Sequence, residues 1–350
     1  MKTTKLIALS LVASAVLGTT SVAAETFLGA DYHDGKNKVA FLSENVRIAG
    51  NVFLPPNYDK SKNYPALVVI TPASGVKEQT AGIYAEKMAK KGYITLAFDH
   101  RTYGESGGYP RGMENAPMKV EDIKNAITFL SHFPGVDSQR IGELGICSGA
   151  GYSLQVAMQD TRLDSVATVS GFVDFTDYGM GGATQYMDQL LTGDPVEQYR
   201  QQIQMASDAR QKYYETGEVV LVDGIPSAEK AKSMNEFWVR AADYYRNPAR
   251  GGGAENYSPM RAAMSLDTRY AYNPSENMAL LGDTPFLAIV GTEALSAYFS
   301  EVAVKRGKDA GIDAELFKIE GAQHFDLYDQ TKYVDQAVIK LDKFFSTTLL

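Results

Sequence analysis

A single cysteine occurs in the 350 residues, and its neighbours are arranged around it. In Gly145-Ile146-Cys147-Ser148-Gly149, glycines stand two places either side of the thiol. An apolar run (140–146) ends just before it and a helical pattern (149–159) begins just after it. That is the spacing of a nucleophile held on a tight strand-to-helix turn, where flanking side chains would strike backbone. A frame centred on Ser148 would place Ile146 and Ala150 at the flanking positions and fits worse. A helix starting behind the sulfur favours the thiolate, through its free N–H groups and its dipole. The backbone N–H of Ser148 is then a natural donor to an oxyanion.

Such a turn needs a sheet to carry it. Apolar runs at 66–71, 93–99, 140–146, 165–171, 285–291 and 314–321 read as buried strands. Helical patterns lie between and after them at 79–90, 120–133, 149–159, 298–310 and 334–345. Continuous apolar strands separated by amphipathic helices predict an α/β architecture with a parallel sheet covered on both faces. Ahead of them, residues 38–55 alternate in two pieces and predict an antiparallel hairpin. The alternation fails between 178 and 272, a span with 10 of the 21 tyrosines plus Phe237 and Trp238. We read 179–272 as a mostly helical cap over the carboxyl end of the sheet, with 25–178 and 273–350 as the core. Its aromatic content suits an apolar acyl or aromatic ligand.

Several stretches together carry a resemblance. The cysteine elbow, Phe98-Asp99-His100-Arg101-Thr102-Tyr103-Gly104-Glu105-Ser106, the lead-in 134–145, and the loop and helix 71–93 occur in the order found in α/β-hydrolases. The cysteine at the elbow resembles the dienelactone-hydrolase-like branch of that superfamily. The resemblance implies an α/β-hydrolase fold, with a mostly parallel eight-stranded sheet flanked by helices and a helical cap. It places the catalytic base at His324, just after the final strand, rather than at His33, His100 or His132. The usual aspartate position falls on Ala294, so the implied acid is Glu293 one residue earlier, with Asp174 or Asp177 as the alternative. The second oxyanion amide is expected from Ala73 or Ser74, with Gly75 letting the loop turn inward. Asp99 and Arg101 are expected to pair within their own loop, and Glu78 to favour the first turn of the following helix.

The first 24 residues, with Lys2 and Lys5, an apolar run at 6–17 and small residues before Glu25, read as a signal peptide for periplasmic or secreted delivery. The apolar run is too short to span a bilayer, so no stable membrane insertion is expected. Without Lys2 and Lys5 the net charge is −10, which disfavours nucleic acid as a partner. One cysteine cannot form an internal disulfide. No cofactor or metal motif is present in the sequence, and the expected partner is a small-molecule acyl substrate. The leading expectation is a hydrolase (an esterase, or an enzyme for thioesters or lactones) working through Cys147 and His324. The alternatives are an acyltransferase or peptidase of the same fold, and a non-catalytic binding protein on a decayed hydrolase scaffold.

Overall fold

The computed structural model describes residues 31–175, 194–270 and 272–349. The chain divides into two compact units, Met1–Asp31 and Tyr32–Leu350, and every element below belongs to the second. The expected signal segment and Asp177 lie outside the described residues.

The strands are β1 (Gly35–Ser43), β2 (Val46–Leu54), β3 (Tyr64–Ile70), β4 (Ile94–Phe98), β5 (Val136–Ile146), β6 (Ser165–Val169), β7 (Leu221–Asp223), β8 (Met260–Ala262), β9 (Phe286–Gly291) and β10 (Ala314–Ile319). Eight of them form one sheet in the order β1-β2-β4-β3-β5-β6-β9-β10. β1 pairs with β2, and β2 with β4, in antiparallel fashion; the remaining neighbours are parallel. This is the expected α/β-hydrolase sheet, hairpin included. β4, β6 and β9 are buried along their whole length, which is why their sequences are mainly apolar, with only Thr95, Ser165 and Thr168 as polar residues.

The longer helices are α1 (Thr80–Ala89), α2 (Ala116–Ser131), α3 (Ser148–Ala157), α4 (Pro195–Thr216), α5 (Glu236–Tyr245), α6 (Ala297–Asp309) and α8 (Thr331–Thr348), with a one-turn helix α7 (Asp326–Asp329) before the last. Apolar faces of α1 and α8 share one core with Leu67, Val69, Leu144, Ile146, Ala167, Val169, Leu287 and Ile289 of the central strands. α2 starts four residues earlier than the apolar periodicity predicts. Asn115 accepts the Met118 N–H, and Pro117 sits in the first turn, where a missing N–H costs nothing.

Among the described residues of the cap region, α4 is capped by Asp194 and ended by left-handed Gly217, and α5 is capped by Asn235. β7, before α5, and β8, after it, form a small antiparallel pair, absent from the sequence reading because three residues are too few to show alternation. Two loop expectations are corrected. Asp99 pairs with Lys77 (2.8 Å) rather than with Arg101, which takes Asp122 (2.7 Å) and Glu44 (2.7 Å). Glu78 precedes α1 and pairs with Lys77 (2.8 Å), so it does not sit in the first helical turn.

Candidate active site

Cys147 occupies the junction of β5 and α3 with φ +54° and ψ −120°, a backbone state a non-glycine residue adopts only when its surroundings enforce it. The enforcement is visible. The Cys147 N–H donates to the Val169 carbonyl (3.1 Å), and its own carbonyl accepts from Ala150 (3.0 Å) and Phe172 (2.9 Å). A Cβ on Gly145 would lie 2.6 Å from the Gly149 carbonyl oxygen, and one on Gly149 would lie 2.7 Å from that of Thr71. Both glycines are therefore required by backbone crowding.

The sulfur opens into a cavity of about 50 Å³, lined by Ala73, Ser148, Phe172, Ile225, Phe237, Trp238, Ala241, Tyr245, Arg261, Phe325 and Tyr328 among others. Residues of the segment between β6 and β9, α5 among them, thus supply much of the wall. A larger cleft of about 400 Å³ lies elsewhere, between β2 and α1, and holds none of these residues.

Ser148 is the first residue of α3, so no carbonyl one turn back can take its N–H. The two candidates for the second amide separate. Ser74 donates its N–H to the buried carboxylate of Glu114 (3.1 Å), whereas Ala73 lines the cavity beside Cys147. Glu114 also accepts from Lys119 (2.6 Å) and Tyr152 (2.7 Å). Burial alone would raise its pKa, but the Lys119 charge prevails and brings it down to about 2. This buried group anchors the loop after β3, and no sequence motif announced it.

His324 is buried, as its place after β10 requires if it is to reach the elbow. The loops after β9 and β10 are laced together: Thr292 N–H donates to Ile319 O (3.0 Å), Glu293 N–H to Ala322 O (3.0 Å), and Gly321 N–H to Thr292 Oγ1 (2.9 Å). Ser170, in a left-handed conformation after β6, donates its hydroxyl to the His324 carbonyl (3.0 Å). The ring packs against Phe237, Phe325 and Tyr328. Burial depresses its pKa to about 3, so the resting imidazole is neutral.

Neither Glu293 nor Asp174 reaches it. Nδ1 of His324 is hydrogen-bonded to the Ser296 hydroxyl at 2.5 Å. Glu293 is exposed, and only its backbone takes part in the loop. Asp174 is spent on the N–H of Ser275 (3.1 Å), on its hydroxyl, and on Arg306 (3.0 Å). Ala294, at the usual acid position, is buried and apolar. Ser296 sits at the N-cap of α6 yet makes no side-chain cap, because its hydroxyl is turned to the imidazole.

On the other side of the ring, Nε2 is hydrogen-bonded to the Tyr328 hydroxyl at 3.1 Å. Tyr328 is four residues beyond His324, and a spacing of four is the only sequence sign of this pairing. Tyr328 also lines the cavity that Cys147 and Tyr245 share. Burial raises its pKa well above the ordinary value, so it remains a neutral phenol. His100 lies in a separate buried cluster with Asp122 (3.7 Å).

A strained residue on the turn after the fifth strand, a histidine after the last strand, and a mostly parallel eight-stranded sheet define an α/β-hydrolase. The chain belongs to the X-Pro dipeptidyl-peptidase (S15) family, whose model matches residues 44–264. It is 34% identical over 317 residues to protein YcjY of Escherichia coli (strain K12), covering 89% of this chain and 99% of that one. The crystal structure of protein PA2218 from Pseudomonas aeruginosa superposes with a TM-score of 0.77 at 29% identity, covering 95% of this chain and 99% of that one. Thiohydrolase aneE of Aspergillus aculeatus is 25% identical over 256 residues, 73% of this chain and 76% of its own length. No helix among the described residues is long and apolar enough to cross a membrane.

Proposed function

We propose that the protein is an exported acyl hydrolase that opens an ester, thioester or lactone through a covalent intermediate on Cys147. The observation that carries the reading is the enforced φ of +54° at Cys147, which opens into a cavity rich in aromatic side chains. In the cycle, the Cys147 thiol gives its proton to His324 and the sulfur attacks the substrate carbonyl. The oxyanion accepts from the N–H groups of Ser148 and Ala73. His324 returns the proton to the leaving group, then takes one from water as that water attacks the acyl-enzyme. The small cavity suits a short acyl group, and the likeness to a thiohydrolase favours a thioester within this range. The cysteine elbow's resemblance to dienelactone hydrolases favours lactones equally. An amine or second thiol entering in place of water would make the same intermediate an acyl donor.

The test is covalent. Incubating the mature protein with an activated short-chain thioester and mapping the adduct by mass spectrometry should place the acyl group on Cys147. The adduct should vanish in Cys147→Ala and accumulate far more slowly in His324→Ala. A specific observation favours the second reading, a non-catalytic binder: a neutral Ser296 stands in place of a triad carboxylate. Absence of any acyl adduct across esters, thioesters and lactones would establish that binder in its place.

A further inference from the structure

Nε2 of His324 is hydrogen-bonded to the Tyr328 hydroxyl at 3.1 Å, and Tyr328 lines the cavity into which Cys147 opens. We propose that Tyr328 is a catalytic residue, the proton relay between Cys147 and His324. The inference rests on the acyl-hydrolase reading above and adds a member to its machinery.

The transfer balances without an external reagent. The Cys147 S–H proton moves to the phenolic oxygen while the phenolic proton moves to Nε2. The S–H and the original O–H bonds break, and a new O–H and an Nε2–H bond form. The result is a thiolate, an unchanged neutral phenol and an imidazolium. Running the same two transfers backwards hands a proton from Nε2 to the leaving group or sulfur. The phenol never ionises, in keeping with burial that raises its pKa well above normal.

Position supports the assignment. α7 is only four residues long, yet its backbone is held from α1: Tyr84 hydroxyl donates to Leu327 O (2.8 Å), and Thr80 hydroxyl to Tyr328 O (3.2 Å). The tyrosine ring is wedged by Tyr244, Tyr245 and Phe325. The Tyr245 ring, packed edge-on against that of Tyr328 at 6.1 Å, is a positioning residue.

Cys147 is the sole cysteine, so alkylation by iodoacetamide reports on it alone. The experiment follows the alkylation rate of the full mature chain from pH 5 to 10. It compares wild type, Tyr328→Phe, His324→Ala and the double variant, with thermal melting to show that each folds. Tyr328→Phe and His324→Ala should each slow alkylation at pH 7 by about tenfold or more, a modest share of what a positioned proton acceptor supplies. The double variant should be no slower than either single one, and the single profiles should share one inflexion nearer that of a free thiol. Losses that multiply, or a Tyr328→Phe profile identical to wild type, overturn the relay. If His324→Ala alone slows the reaction, the relay fails while the Cys147–His324 chemistry stands. If wild type itself alkylates like a free thiol, both fail together.

Discussion

The Ser296 hydroxyl lies 2.5 Å from Nδ1 of His324, where a triad carboxylate would ordinarily be. A hydroxyl can fix the tautomer and orientation of the ring, but it carries no charge to stabilise an imidazolium. The imidazole therefore rests neutral. Ser296→Ala should keep the fold and lower the acylation rate at saturating substrate, with little change in KM. Ser296→Asp should raise the His324 pKa, since an adjacent opposite charge is worth about one to three units. It should also quicken Cys147 alkylation near pH 6. Stopped-flow acylation and alkylation profiles of the two variants decide the matter; equal profiles would show that Ser296 does not orient the ring.

The neutral His324 also leaves a mark on stability. Its folded pKa of about 3 lies below the unfolded value of about 6.5. Between those two values the unfolded chain binds more protons than the native one, so stability falls as pH is lowered through that window. The slope is about 1.4 kcal/mol per pH unit for this one group. Denaturant unfolding at pH 6.5 and pH 5 should thus show a loss of about 2 kcal/mol in wild type from His324. His324→Gln should remove that component. The same slope in the variant would place the acid sensitivity elsewhere.

Glu143 predicts the opposite sign. It sits on β5 four residues before the nucleophile, fully buried, and neither carboxyl oxygen has a hydrogen-bond partner among the described residues. Burial raises its pKa well above normal. Above the unfolded pKa near 4.5 the unfolded chain releases the proton that the native state keeps, so stability falls as pH rises through that range. Glu143→Gln retains the shape and cannot ionise. It should raise the melting temperature at pH 7.5, with the gain shrinking towards zero near pH 4.5. A variant that is destabilised equally at both values would contradict a protonated native Glu143.

The strands, the hairpin and the elbow were legible because they rest on short-range rules: apolar runs, alternation, and glycines imposed by crowding at 145 and 149. His324 was legible through its place in the resemblance. The partners of its ring were not. Ser296 lies ahead of the predicted helix 298–310 with no motif to mark it, and Tyr328 is one tyrosine among 21. Their roles arise only when the loops after β9 and β10 are tied together. Glu293 was a reasonable expectation by chain distance, yet the loop turns its side chain to solvent. The Asp99–Lys77 and Arg101–Asp122 pairs show the same limit, since charges pair by tertiary proximity rather than by nearness in sequence.

Arg250 links α5 to α7, the helix that carries Tyr328. It grips Asp329 with two nitrogens, Nε (2.9 Å) and Nη2 (2.5 Å), holds Asp243 of α5 through Nη1 (2.6 Å), and lies over the Tyr244 ring. Asp243 is more than half exposed, so the stabilisation is modest, on the order of 1 kcal/mol after screening by solvent. The larger effect should be on geometry, because Asp329 is adjacent to Tyr328. Lysine offers a single ammonium and cannot reproduce a two-nitrogen grip. Arg250→Lys should shift the melting temperature by only a few degrees while lowering the acylation rate of Cys147 several-fold. An activity loss that merely tracks a large fall in melting temperature would reduce Arg250 to a structural role. The predicted outcome, small in stability and larger in rate, requires the cap to hold Tyr328 in line with the thiol.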